Sequence, residues 1–313
     1  MTTLPLTLQS IITQTRVPNE LIILDDTNEP KDLRTIPIYK YLFELLDEKK
    51  INWKVIFGKK RGQHFNHQTA QEMAKDLVWR LDDDVIAEPN CLEELLKQFK
   101  EGVGGVGGTV LLPGTGFKEV DTSINTTYEN QQWYKFKEIK EAEHLYSSFL
   151  YKANVVDYEL SLSPTASREE TILTHNIYRK GLKLILTPTA VCWHLRNPEG
   201  GIRGYSEENK YRDERIFEEI KREWNGELIV MLNNGIGDHI VFKSILPKLK
   251  KKYKKIKIAC CYQLFPEEET MSIAEGLKYV NPDRFNIYKW MIDHNWKTEM
   301  KEAMERMYDV ACL

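Results

Sequence analysis

Cysteine is scarce in this chain and poorly placed for cross-linking. The 313 residues hold five, Cys91, Cys192, Cys260, Cys261 and Cys312, an odd number with no Cys-x-x-Cys pair. That pattern argues against a disulfide framework or a zinc ribbon and fits a reducing compartment. Long apolar runs are missing too. No stretch approaches the ~20 apolar residues needed to cross a bilayer. The N-terminus lacks the basic and apolar regions of a signal peptide. The expectation is a cytoplasmic protein with, at most, peripheral membrane contact. An excess of one charge is also absent: 44 Lys and Arg stand against 47 Asp and Glu, a net charge of −3. Nothing global invites nucleic acid. What is there is ordinary globular material, 42% hydrophobic and 29% charged, long enough for roughly two domains.

The most informative stretch is Val78-Trp79-Arg80-Leu81-Asp82-Asp83-Asp84-Val85-Ile86. Apolar residues on both sides of the acids suit a buried strand ending at a charged tip. Three adjacent carboxylates repel one another, and crowding them is costly without a cation. Mg2+ or Mn2+ removes that cost, because carboxylate oxygens are their preferred ligands. The bland alternative is an Asp-rich turn before the helix 90–100.

Other segments repeat the theme. Leu21-Ile22-Ile23-Leu24 reads as a buried parallel strand ending in Asp25-Asp26, where open α/β sheets bind ligands; an N-cap for the next helix explains the acids equally well. Arg168-Glu169-Glu170 opens a helix that Gly181 ends. The helix dipole alone accounts for two acids there; a general base for proton removal is the functional reading. The run 183–194 reads as a strand ending in His194, either a hydrogen-bonded structural histidine or a ligand. Residues 197–206 read as a loop able to close over a ligand, with Arg203 suited to a diphosphate. The glycines of 102–108 suggest a phosphate loop, but no helix follows. Small residues leading into a strand from about Val106 fit better. His64 and His67 read as a solvated helix start. Ile38, Tyr41, Leu42, Leu45 and Leu46 are expected on the core face of a helix over 36–49.

Four of these segments, in this order, resemble inverting family 2 glycosyltransferases of GT-A fold: 14–27, the triple Asp, the acidic pair and the strand ending in His194. The resemblance implies an α/β, Rossmann-like nucleotide-diphospho-sugar transferase domain, a mostly parallel sheet with flanking helices, over 1–224. It implies Asp82, Asp84 and His194 on Mg2+ or Mn2+. Asp25, Asp26, Asp82, Asp83 and Arg203 would bind the donor, with Asp26 on the base. Glu170 would stand where the family places an Asp base, and the extra methylene shifts the carboxylate by roughly 1 Å. The expected donor is a UDP-sugar and the expected acceptor a glycan or glycolipid hydroxyl, as in surface polysaccharide or glycoconjugate synthesis. Trp133, Tyr134 and Phe136 would stack on the acceptor or pack in the core.

One departure stands out. Family members open with a strand carrying a Pro-Thr turn, whereas this chain opens in the helix that follows it. Either that strand lies upstream, or the domain does without it. A non-catalytic nucleotide-sugar-binding or scaffolding protein is therefore the alternative function. Residues 227–313 form a partial Rossmann-like unit, with a strand at 228–232, a Gly-rich turn and a helix through 249. This unit resembles the start of heptosyltransferase-like family 9 enzymes of GT-B fold, and by that resemblance Asp238 is a candidate base.

Overall fold

The computed structural model describes residues 3–26, 31–57, 62–114, 138–195, 207–232 and 235–279. The chain divides into two compact units, 1–209 and 210–313.

The first unit opens with helix α1 (Leu4–Ile12), which has a proline in its first turn. Strand β1 (Glu20–Asp25), helix α2 (Pro37–Glu48) and strand β2 (Asn52–Phe57) follow. β1 and β2 pair in parallel as a separate two-stranded sheet. Leu4, Leu8 and Ile12 of α1 and Tyr39, Leu42, Phe43 and Leu46 of α2 pack with Ile23 of β1. Phe43 stacks on Trp53 of β2, with ring centroids 4.1 Å apart. This corrects the expected face of α2: Ile38, Tyr41 and Leu45 are exposed, while Leu42 and Leu46 are buried as expected.

Helix α3 (Gln63–Met73) leads to strand β3 (Leu77–Arg80), and β4 (Val85–Ala87) follows immediately. Helix α4 (Cys91–Gln98), β5 (Val103–Leu111), β6 (Lys140–Ala142), β7 (Phe149–Lys152), helix α5 (Glu169–Arg179) and the long β8 (Lys183–His194) complete the unit. The main sheet pairs in the order β3-β7-β5-β8-β4, with β6 beside β8. It is mixed rather than mostly parallel: β5 and β8 are parallel, and the other pairs are antiparallel. The fold is nonetheless α/β with flanking helices, consistent with a Rossmann-like nucleotide-sugar transferase domain. Because β3, β5 and β8 run the same way, the acidic link between β3 and β4 lies at the carboxyl ends of these strands. That is where such sheets hold ligands.

β5 starts at Val103, three residues before the expected start, so Gly104, Gly105, Gly107 and Gly108 lie inside the strand. Their smallness is required there. A Cβ on Gly108 would sit 2.0 Å from the Ala190 carbonyl oxygen, and one on Gly104 would sit 2.4 Å from Ile177. Gly108 falls at an irregularity in the β5–β8 register.

In the second unit, β9 (Glu227–Leu232), β10 (Lys255–Cys260) and β11 (Glu269–Met271) form a parallel sheet. Helix α7 (Ile236–Lys252) covers one face through Val241, Phe242, Ile245 and Leu249. Asp238 lies in its first turn. Helix α6 (Glu207–Trp224) belongs largely to this unit. Its Arg215 and Arg222 donate to the carbonyls of Leu277 and Tyr279, beyond the short helix α8 (Ile273–Gly276). The sequence reading had ended the first domain at 224. No helix among the described residues is long and apolar enough to cross a membrane.

Candidate functional site

The acids of the β3–β4 link diverge. Asp84 is buried, Asp82 is half-buried and Asp83 points outward. β8 runs antiparallel to β4 and places His194 opposite Val85. Leu195 N donates to the Asp84 carbonyl at 2.8 Å, which pins the register. His194 Nε2 then stands 3.6 Å from Asp84 Oδ1 and 3.8 Å from Asp82 Oδ2. Single ligand atoms of Asp82, Asp84 and His194 all lie within 4.8 Å of one another. These separations exceed hydrogen-bond lengths. They suit groups ~2.1 Å from one shared ion, which then lie about 3 to 4 Å apart. Two carboxylates and an imidazole form a donor set matched to Mn2+ and acceptable to Mg2+. The residues present fit a divalent cation.

Helix α1 braces the acidic link along its length. Thr7 Oγ1 donates to the Asp83 carbonyl at 2.9 Å, and Ser10 Oγ accepts from Ala87 N at 3.2 Å. Gln14 donates to the Glu88 carbonyl at 2.8 Å and accepts from Leu92 N at 3.0 Å. That last bond satisfies a first-turn amide of α4, whose own N-cap Asn90 makes no side-chain bond.

Asp25 ends β1 and is buried; Asp26 follows and accepts from Gly62 N at 3.1 Å. Gly62 has φ +106° and precedes α3, and a Cβ there would meet Pro164. The hydroxyl of Tyr39 is pushed above its usual pKa, first by burial and then by the charges of Asp83 and Asp25. Tyr39 thus stands near the tips of both acidic segments. Arg203, Trp133, Tyr134 and Phe136 lie outside the described residues.

At the start of α5, Glu169 is fully buried and Glu170 is half-buried. Burial lifts the Glu169 carboxyl to about 8, outweighing the neighbouring Arg80 guanidinium. Glu170 Oε2 lies 4.0 Å from Arg80 Nη2. His64 and His67 are not the solvated pair that the sequence suggested. His64 is fully buried, and its imidazole is lowered to about 4 by desolvation. His67 accepts from Arg80 Nε at 3.2 Å and stacks on Tyr158, with centroids 5.6 Å apart. Burial, and then Arg80, hold its pKa well below the usual value. Arg80 itself escaped the sequence reading. Its signal was there to read: a cation inside the otherwise apolar strand that leads to three acids.

With this geometry in place, comparison adds a class. Residues 2–154 match the family described as glycosyl transferase family 2, which supports a role in glycosyl transfer. No curated protein matches the chain. Glu170 and His194 lie beyond the matched stretch; β8 carries His194 back to it.

Proposed function

We propose that this protein is an inverting, cation-dependent glycosyltransferase that moves a sugar from a nucleotide-diphosphate donor, a UDP-sugar in the first instance, to a glycan or glycolipid hydroxyl. The observation that carries this reading is the convergence of Asp82, Asp84 and His194 within a chain whose first half matches family 2. Asp82, Asp84 and His194 would hold Mn2+ or Mg2+. When bound, the cation supplies neutralising charge for the departing diphosphate.

The remaining work falls to the protein's own groups. Asp26, with Asp25 beside it, would bind the nucleotide base, and Arg203 would bind the diphosphate. Glu170 is the general base. Its carboxylate takes the acceptor hydroxyl's proton as that oxygen bonds to the anomeric carbon and the bond from that carbon to the phosphate oxygen breaks on the opposite face. Glu170 is suited to this because it retains solvent access, whereas Glu169 is sealed in the interior beside Arg80. The second unit, a parallel α/β sheet unit, is assigned no step in this reading.

A second reading, nucleotide-sugar binding without turnover, draws on the separation of the β1–β2 sheet from the main sheet among the described residues. Calorimetric titration of UDP with and without Mn2+, on wild type and Asp84→Ala, tests the donor site. Mn2+-dependent binding lost in the variant supports it; no binding under either condition overturns the enzyme reading. Binding without sugar release from any UDP-sugar would favour the second reading.

A further inference from the structure

Arg80 is 3% exposed at the end of β3. A guanidinium in that setting is costly unless its N–H groups find acceptors. Nη1 donates to the Ser147 carbonyl, Nε to His67 Nε2 at 3.2 Å, and Nη2 to Glu169 Oε1 at 2.6 Å. Phe149 presents its ring 5.6 Å from the guanidinium carbon. Four segments thus meet at one side chain: β3, α3, the turn before β7 and the start of α5.

Pairing with Glu169 would require only the last of those bonds. The geometry does more. The same Nη2 lies 3.5 Å from Asp82 Oδ1 and 4.0 Å from Glu170 Oε2. Three carboxylates therefore face a single nitrogen. Asp82 is shared between two neighbours: Oδ1 faces Arg80, and Oδ2 faces His194 Nε2 at 3.8 Å. A carboxylate drawn from one side by a fixed cation has its other oxygen aimed from behind. Outer partners of this kind set the orientation of ligands at cation sites. The forked, planar guanidinium can hold several acceptors in fixed directions at once, which an ammonium cannot.

We propose that Arg80 is a positioning residue for the reaction centre, orienting Asp82 toward His194 and holding the Glu169–Glu170 pair in line with it. The inference rests on the cation-site reading above. Arg80 couples the side of the site that would hold the cation to the side that would take the proton.

The test is calorimetric titration of Mn2+ alone into wild type and into the double variant Arg80→Met/Glu169→Leu, with melting curves recorded for both. Because burial keeps Glu169 largely protonated at neutral pH, the double variant removes one positive charge, which alone would strengthen Mn2+ binding, so a weaker affinity reports geometry. A folded double variant should bind Mn2+ about tenfold more weakly. Equal affinity in a folded double variant overturns the inference and leaves Arg80 as a structural partner of Glu169. Should the double variant fail to fold, Arg80→Lys carries the same expectation, because it keeps the charge but loses the fork; unchanged Mn2+ affinity there is equally fatal. Wild type that takes up no Mn2+ overturns the cation-site reading itself, and this inference with it.

Discussion

His194 Nε2 stands 3.6 Å from Asp84 Oδ1, and the next residue along, Leu195, donates its amide to the Asp84 carbonyl at 2.8 Å. The side-chain approach is thus fixed by a backbone bond beside it. Replacing His194 with Ala removes one of three candidate donors but leaves the bond from Leu195. We expect Mn2+ affinity to fall by more than the roughly 10–100-fold typical of an outer-shell change, with the melting temperature little altered. Unchanged Mn2+ affinity would remove His194 from the site.

Glu170→Gln keeps the size of the side chain and abolishes its basicity. With a UDP-sugar and a competent acceptor, kcat should fall by on the order of 10² to 10⁴, while UDP binding stays at the wild-type value. A loss confined to UDP affinity would show that Glu170 serves the donor instead.

Glu169 supplies a pH dependence of stability. Its carboxyl is raised from 4.5 to about 8 in the folded chain, chiefly by burial. Below pH 4.5 both folded and unfolded chains hold this proton. As pH climbs from 4.5 toward 8, the unfolded chain releases a proton that the folded chain keeps. Stability therefore declines across that window, by at most about 1.4 kcal/mol per pH unit from this group, and the loss levels off above it. Denaturant melts of wild type and Glu169→Gln between pH 5 and 9 check this. The Gln variant should show the shallower slope, and parallel curves would contradict the assignment.

Gly108→Ala should be severely destabilising, by about 3 kcal/mol, because the added methyl would press on the Ala190 carbonyl. The atom it meets is backbone, so no rotamer change relieves the contact. Thermal unfolding would reveal it, and a shift of only a degree or two would mean that β8 yields more readily than its pairing suggests.

What was legible in the sequence was chemistry at strand ends. The acids at 82–84 advertise themselves by type, His194 is tied to them only by the family resemblance, and β8 has the expected limits, Lys183–His194. Rotation of a helix about its own axis was less legible. In α2, the expected stripe runs through 38, 41, 42, 45 and 46 and the buried one through 39, 42, 43 and 46; both are apolar and share Leu42 and Leu46. The stacking of Phe43 on Trp53 belongs to tertiary packing and selects the second stripe. Leu46→Ala should accordingly cost ~2–5 kcal/mol and Leu45→Ala within about 0.5 kcal/mol; comparable costs in urea melts would contradict this orientation. Arg80 was overlooked for a related reason. A buried cation is explained only by acceptors, and its acceptors come from residues near 67, 147 and 169.

The bracing of the acidic link by α1 also carries a kinetic consequence. Thr7 and Asp83 are 76 positions apart, and Gln14 and Leu92 are 78 apart. Closing a loop of that length is entropically slow to be repaid by the contacts it makes. The first turn of α4 takes part of its amide satisfaction from Gln14, so it gains that support only after the loop has closed. In a refolding experiment followed by pulsed hydrogen exchange, the Leu92 amide should gain protection together with α1, and later than amides in the middle of α2. The carboxylates at 82–84 would then be among the last groups in this unit to find their places, and cation affinity would emerge only once α1 has docked.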